Sequence, residues 1–206
     1  MTSASETGKQ GKAATDLGLV KLAAGRKALE AWQTPEQFKA KIDELADAVA
    51  SEALFNRNET QFLRDAMIIE TFTRYRATEK VRLAKAADQW PDGQTGTPEQ
   101  PINIEVTEVM EEGRKRGDEY KEGAKPLDGN AEDWRRRALD IPVQLEKAIK
   151  RKKHKGYGKN CKLVVYLNMS NYGVLQKETE AKIAAIKAKY ATDFQEICIL
   201  WQQKLL

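Results

Sequence analysis

A single histidine, two cysteines and the lack of any long apolar run close off several chemistries before a motif is read. No stretch approaches the roughly 18–20 apolar residues needed to span a bilayer, so no membrane segment is expected. The opening MTSASETGKQGKAATD has no apolar centre and does not read as a secretory signal. Cys161 and Cys198 lie far apart without CxxC spacing, which argues against both a disulfide framework and a zinc site. They read as buried thiols of a protein in a reducing cytoplasm. His154 sits inside RKKHKGY with no partner for acid–base work, and a solvated imidazole is the simpler account. Ser170 lacks a GxSxG setting, no GxGxxG follows a strand, and GRKRGDEY is not a phosphate loop. A serine hydrolase and a nucleotide cofactor are therefore not indicated.

What the chain has in quantity is charge, and the charge is segregated. Charged residues make up 32% of the sequence, and the net charge of +4 conceals two unlike regions. Between Arg135 and Lys162 stand eleven Lys or Arg against only Asp140 and Glu146, so the remainder of the chain is net acidic. Such separation is the footprint of a polyanion partner, most often nucleic acid; a solvated basic helix is the competing account. Lys150, Arg151, Lys152, Lys153 and Lys155 form the densest part of the basic run.

The pattern along the chain is mixed. Residues 1–14 offer almost nothing to bury and read as a disordered tail. Residues 15–57 read as a helical hairpin appended to the main domain, its second helix opened by Thr34, Pro35 and Gln37 in the arrangement of a capping box. A third helix is expected from Asn58, with Phe62, Ala66, Ile69 and Phe72 as its buried stripe. Val81 and Leu83 belong either to a strand or to an extension of that helix. DGQTGTPEQP reads as a turn-rich connection, and residues 113–133 as a loop with one helical turn. A helix is expected from near Asp140, ending at Gly156 and Gly158. The closing strand, helix, strand series, with KLVVYLNM and QEICILW as its buried strands, predicts parallel neighbours in one sheet.

The stretch from Asp88 to Tyr120 is the first place to look for function. In PINIEVTEV, Ile102, Ile104 and Val106 fall on one face of a strand, and Asn103, Glu105 and Thr107 on the other. That second face is either solvated or the site of a metal-binding carboxylate. The twelve residues between Asp92 and Glu105 are enough for a turn that brings both acids onto neighbouring strands.

On Pro91-Asp92, Glu105-Val106-Thr107 and Gln144, within the order helix, strand, acidic strand, basic helix, strand, helix, strand, the chain resembles the PD-(D/E)XK nuclease superfamily over residues 58–206. The resemblance implies an α/β fold: a restriction-endonuclease-like central mixed sheet flanked by helices, here carrying an N-terminal helical hairpin. It further implies that Asp92 and Glu105 hold Mg²⁺ or Mn²⁺, that Glu70 is the helical acid some branches add, and that Gln144 is the glutamine of the following helix. Two hard carboxylates suit such an ion, which keeps several waters and activates one against a phosphodiester. Thr107 stands where the family has Lys, and a hydroxyl supplies no positive charge. Lys147 or Lys150 is expected to substitute from the following helix, with Lys115 as a weaker candidate and Asp88 as an alternative acid. IEVTE, EEGRKRGDEY and VVYLN are also similar to a group of bacterial proteins with no activity attached, which adds nothing about substrate. Two functions follow as expectations: a metal-dependent nuclease, or a catalytically inactive binding module on the same fold. The latter would bind nucleic acid through the basic helix and a partner protein or second copy through the N-terminal helices.

Overall fold

The structure is a computed structural model and describes residues 20–120 and 129–206. Six strands form one mixed sheet in simple sequential order: β1 (Lys80–Leu83), β2 (Gly93–Gly96), β3 (Pro101–Val109), β4 (Cys161–Leu167), β5 (Glu196–Trp201) and β6 (Lys204–Leu205). The first three pair antiparallel, β3, β4 and β5 run parallel, and β6 turns back against β5. Helices cover both faces, as the parallel portion requires. These are α1 (residues 20–29), α2 (Pro35–Asp47), α3 (Ser51–Asn56), α4 (Gln61–Tyr75), α5 (Ala131–Lys153) and α6 (Gln176–Lys189). The α/β class and the parallel closing strands are as the sequence predicts.

Side-chain alternation divides the core in two. Ile104, Val106, Val164 and Leu200 pack on one face against α4. Leu163, Val165, Ile197 and Ile199 pack on the other against Ile141, Leu145 and Ile149 of α5 and Ile183 of α6. Leu29, Phe38 and Ile42 also belong to the α4-side core, and Gln33 bridges to Val81. The N-terminal hairpin packs over α4, where its apolar stripe finds its burial. Gly25 permits this: a Cβ at that position would lie 2.3 Å from the Leu45 side chain, so the close approach of α1 to α2 needs a glycine.

Local signals account for some element ends and fail at others. Thr34 and Gln37 form the expected capping box, with Pro35 in the first turn. The helix expected to run on through Leu54 breaks instead at Ala48–Ala50, where Ala50 is extended and α3 starts afresh. Asn58 opens a single 3-10 turn, and α4 proper begins at Gln61. Residues 80–83 are a strand, and the expected connection after Asp92 contains one too: Gly93–Gly96 pairs on both sides, which overrides its weak propensity. Helix α5 begins at Ala131, well before Asp140, under a capping box of Asn130 and Asp133. The expected disordered tail, the first residues of the first helix and residues 121–128 of the expected loop lie outside the described residues.

Candidate functional site

Glu105 sits on β3 beside Leu163 of β4, on the face that α5 covers. It is buried, with only 3% of its surface exposed, so the solvated account of this face does not hold. A buried carboxylate must be paired and hydrogen-bonded. Its Oε1 accepts from Lys152 Nζ at 2.5 Å and from the Tyr157 hydroxyl at 2.9 Å, which leaves Oε2 outside both bonds. Lys152 also donates to the Val106 carbonyl oxygen at 2.8 Å and is itself only 12% exposed. The ring of Tyr157 stacks on Trp90 at 5.4 Å. Burial and the neighbouring Glu105 push the Tyr157 hydroxyl well above its ordinary range, so it serves as a donor.

Asp92 brackets the same residue. Its N–H donates to the Ile104 carbonyl oxygen at 3.0 Å, and its Oδ2 accepts from the Val106 N–H at 2.7 Å. The β2–β3 register, Gly93 opposite Ile104, carries Asp92 alongside Glu105. Burial and then the charge of Glu105 raise the Asp92 carboxyl, against the opposing Val106 N–H and the charges of Lys152 and Lys155.

A third acid joins from α4. Asp65 is pushed up to about 7, first by burial and then by Asp92, with Arg64 and Lys152 pulling the other way and Glu105 adding to the rise. Among the described residues it has neither a hydrogen-bond nor an ion-pair partner. Nearby, α4 seats Ile69 against Gly93, where a Cβ would lie 2.6 Å from Ile69 Cδ1 and 2.8 Å from the Arg82 carbonyl oxygen. Ile69 is one turn beyond Asp65 on the same side of α4, so the seat of Ile69 on bare backbone also sets the height of Asp65.

The expected residues divide sharply. Asp92 and Glu105 lie side by side across β2 and β3, and Thr107, buried two residues beyond Glu105, lines with Asp65 and Lys152 an adjoining cleft of about 570 Å³. Gln144 and Lys147 do not join them. Gln144 donates to Asp140 at 3.1 Å, and Lys147 reaches exposed Glu112 at 3.7 Å. Glu70, expected as the helical acid, is held by Arg74 through two hydrogen bonds of 2.8 and 2.6 Å. It lies five residues from Asp65, about 140° around the helix, and Asp65 rather than Glu70 lines the cleft. The basic run splits as well. Arg151, Lys152 and Lys155 line the cleft, with Lys115 opposite. Lys150 pairs with Glu146 and Lys153 with Asp193. Asp88 is exposed and lines a smaller adjoining hollow. Both cysteines are free and buried, raised to about 12 for Cys161 and about 11 for Cys198, chiefly by burial.

Two members of the site go unread in the sequence, Asp65 as an acid and Lys152 as its lysine, yet both carry the same signal. Asp65 interrupts the apolar stripe Phe62, Ala66, Ile69, and Lys152 extends the stripe Leu145, Ala148, Ile149. Each is a charged residue at the helical spacing of an apolar stripe.

The arrangement can hold a proton near neutrality on Asp65, present carboxylate oxygens from two strands, and place a fixed ammonium beside them. Among the described residues no group of three or more His, Cys, Asp or Glu is arranged to hold a metal ion; two carboxylates with water make up the donor set available at Asp92 and Glu105. Among the described residues no helix is long and apolar enough to cross a membrane. No family model, curated protein or solved structure matches the chain.

Proposed function

We propose that this chain is a metal-dependent phosphodiesterase acting on nucleic acid, a nuclease of the PD-(D/E)XK type whose lysine is supplied by helix α5. The observation that carries the reading is the contact of Lys152 with Glu105 at 2.5 Å, an ammonium delivered to the acid of β3 from another element while Thr107 holds the strand position.

The donor set fits a hard divalent cation. Asp92 and Glu105 each commit one oxygen to protein donors, and the charge of Glu105 raises the Asp92 carboxyl while both raise that of Asp65, a repulsion that a cation at Asp92 and Glu105 would relieve. Mg²⁺ or Mn²⁺ is held well by one or two carboxylates plus water and a substrate phosphate. Bound there, such an ion lowers the pKa of its water and offsets phosphoryl charge. Lys152 orients that water or stabilises the charge growing on the phosphoryl oxygens. Asp65, poised at about 7, can accept a proton near neutral pH. Water adds to phosphorus and the bond to one sugar oxygen breaks. The proton lost by water goes to Asp65 or solvent, and the leaving oxygen takes up a proton to become a hydroxyl. Arg151, Lys155 and Lys115 around the cleft bind the polyanion and make affinity fall with salt.

The test pairs cleavage of mixed single- and double-stranded DNA and RNA with calorimetric titration of Mn²⁺. Wild type cleaves only with Mg²⁺ or Mn²⁺ and takes up the ion; Glu105→Gln, which keeps the shape of the side chain, loses both. Full cleavage by Glu105→Gln, or no cleavage and no ion uptake by wild type, overturns the reading. Metal-independent, salt-sensitive binding without cleavage would instead favour the binding module.

A further inference from the structure

Beside the carboxylate cleft lies a second and larger cavity, of about 710 Å³. The two share Phe55, Arg64, Ile68 and Arg116 as a common wall, so together they form one trough along α4. It runs from Asp65 to Tyr75, ten residues of helix or about 15 Å. The second cavity differs from the first in charge. Arg64, Arg74, Arg116 and Lys204 line it, and among the described residues its lining contains no acid, although Arg74, Arg116 and Lys204 also pair with Glu70, Glu108 and Glu180 at its margin. Its lining also includes aromatic residues. Tyr75 is 41% exposed, and the Arg116 guanidinium lies 4.0 Å from the centre of the Phe55 ring and 5.8 Å from that of Tyr166. The far end is closed by the β5–β6 turn, where Gln202 and Gln203 both adopt positive φ and the Gln203 carbonyl oxygen accepts from the Tyr75 hydroxyl.

We propose that this cavity receives the unpaired nucleic-acid strand leading away from the scissile phosphate, so that the substrate of the cleft is single-stranded. The inference rests on reading the cleft as a phosphodiesterase. Cations on the wall and the exposed Tyr75 ring at its edge are the combination that holds unpaired strands, phosphates on the charges and a base on the ring. A paired helix keeps its bases stacked inside and has a major groove about 12 Å wide. The two hollows are each on the scale of sites that enclose a small molecule, about 300–1,000 Å³, which suits individual nucleotides. An acidic peptide would satisfy the cations but leave the ring unused.

The experiment is fluorescence anisotropy of the full chain without divalent cations, using labelled oligothymidylate and oligouridylate against a duplex hairpin of equal length. At least one unpaired probe binds about 10-fold more tightly than the duplex. Tyr75→Ala weakens that binding about 10-fold through lost stacking. Lys204→Ala reduces the slope of log affinity against log salt by about 0.7, the value of one single-strand phosphate contact. Equal or tighter duplex binding, displacement by polyglutamate as readily as by unlabelled oligonucleotide, or unchanged affinity and slope in both variants overturns the inference. Its failure is distinguishable from that of the cleft. If cleavage needs Glu105 while Tyr75→Ala and Lys204→Ala bind as wild type, only the strand path is wrong. If these variants lose binding but nothing is cleaved, the path stands and the chemistry does not.

Discussion

Strands β4 and β5 bury Leu163, Val164, Val165, Ile197 and Ile199 between helices on both faces, whereas β2 is the four residues Gly93–Gly96 with a glycine at each end. Strands β2 and β4 are one step either side of β3 in the same sheet, yet they do opposite work. The parallel half is continuous hydrocarbon and holds the fold. The antiparallel half is short, glycine-containing and flanked by acids: its register sets Asp92 beside Glu105, and Asp65 of α4 feels the charge of both. Strand β3 belongs to both: Ile104 and Val106 face the α4 core, while Glu105 faces α5. Stability and site chemistry are thus separated by strand and by face, and substitutions can test how cleanly.

The largest effect is expected where the halves join. Lys152→Met removes the charge opposite buried Glu105; breaking such a pair costs about 3–5 kcal/mol, and losing the ammonium lowers cleavage about 10²–10³-fold. Urea unfolding and single-turnover cleavage measure the two, and a stable, fully active variant would show that Lys152 serves neither. Leu163→Ala, beside Glu105 but in the hydrocarbon half, costs about 2–5 kcal/mol with the specific activity of the folded fraction unchanged. A matching loss of specific activity would mean that the halves are not separable.

Asp65 sharpens the comparison through pH. The folded chain keeps its proton up to about 7, while an ordinary Asp releases it near 3.8. Between those values the folded state binds more protons than the unfolded, so this contribution is fully present below 3.8 and is lost as pH rises through 7. The expected loss is about 2–4 kcal/mol between about pH 4 and pH 8. In Asp65→Asn that slope flattens, and the variant is the more stable form at about pH 8. Urea midpoints that run parallel with pH in both proteins would contradict this. The smallest effect is expected at Gly93→Ala. A methyl group pressed on Ile69 and on the Arg82 carbonyl oxygen costs about 1–3 kcal/mol and lifts α4, so the apparent pKa of Asp65 drops toward the ordinary range. Thermal unfolding and NMR titration of the Asp65 carboxyl check the two parts.

The parallel half was legible because burial on both faces writes itself as continuous apolar runs. The antiparallel half was not: GQTG carries no strand signal, and it is a strand because Leu83 and Ile104 pair with Gly93 on either side. Asp92 and Glu105 could be found because two acids flank one turn. Gln144, Lys147 and Glu70 lie apart from Asp92 and Glu105 for a single reason: spacing along a helix says which residues share a face, but not which face meets the sheet. Asp140, Glu112 and Arg74 had already taken those three side chains. Nor did the charge run of residues 150–155 behave as a unit, since helical geometry sends Lys150 and Lys153 to Glu146 and Asp193 and turns Lys152 inward.

The contact between Lys152 and Glu105 spans 47 residues of chain. Had the ammonium stood at position 107, it would share a strand with its carboxylate from the moment that segment left the ribosome. Placed on α5, it arrives only once that helix has docked across the sheet, together with Tyr157 just beyond its end. A nascent or partly unfolded molecule therefore holds the acids without their counter-charge, and the complete constellation exists only as a property of the finished tertiary structure. Quality control of the site is built into the order in which the chain can assemble it.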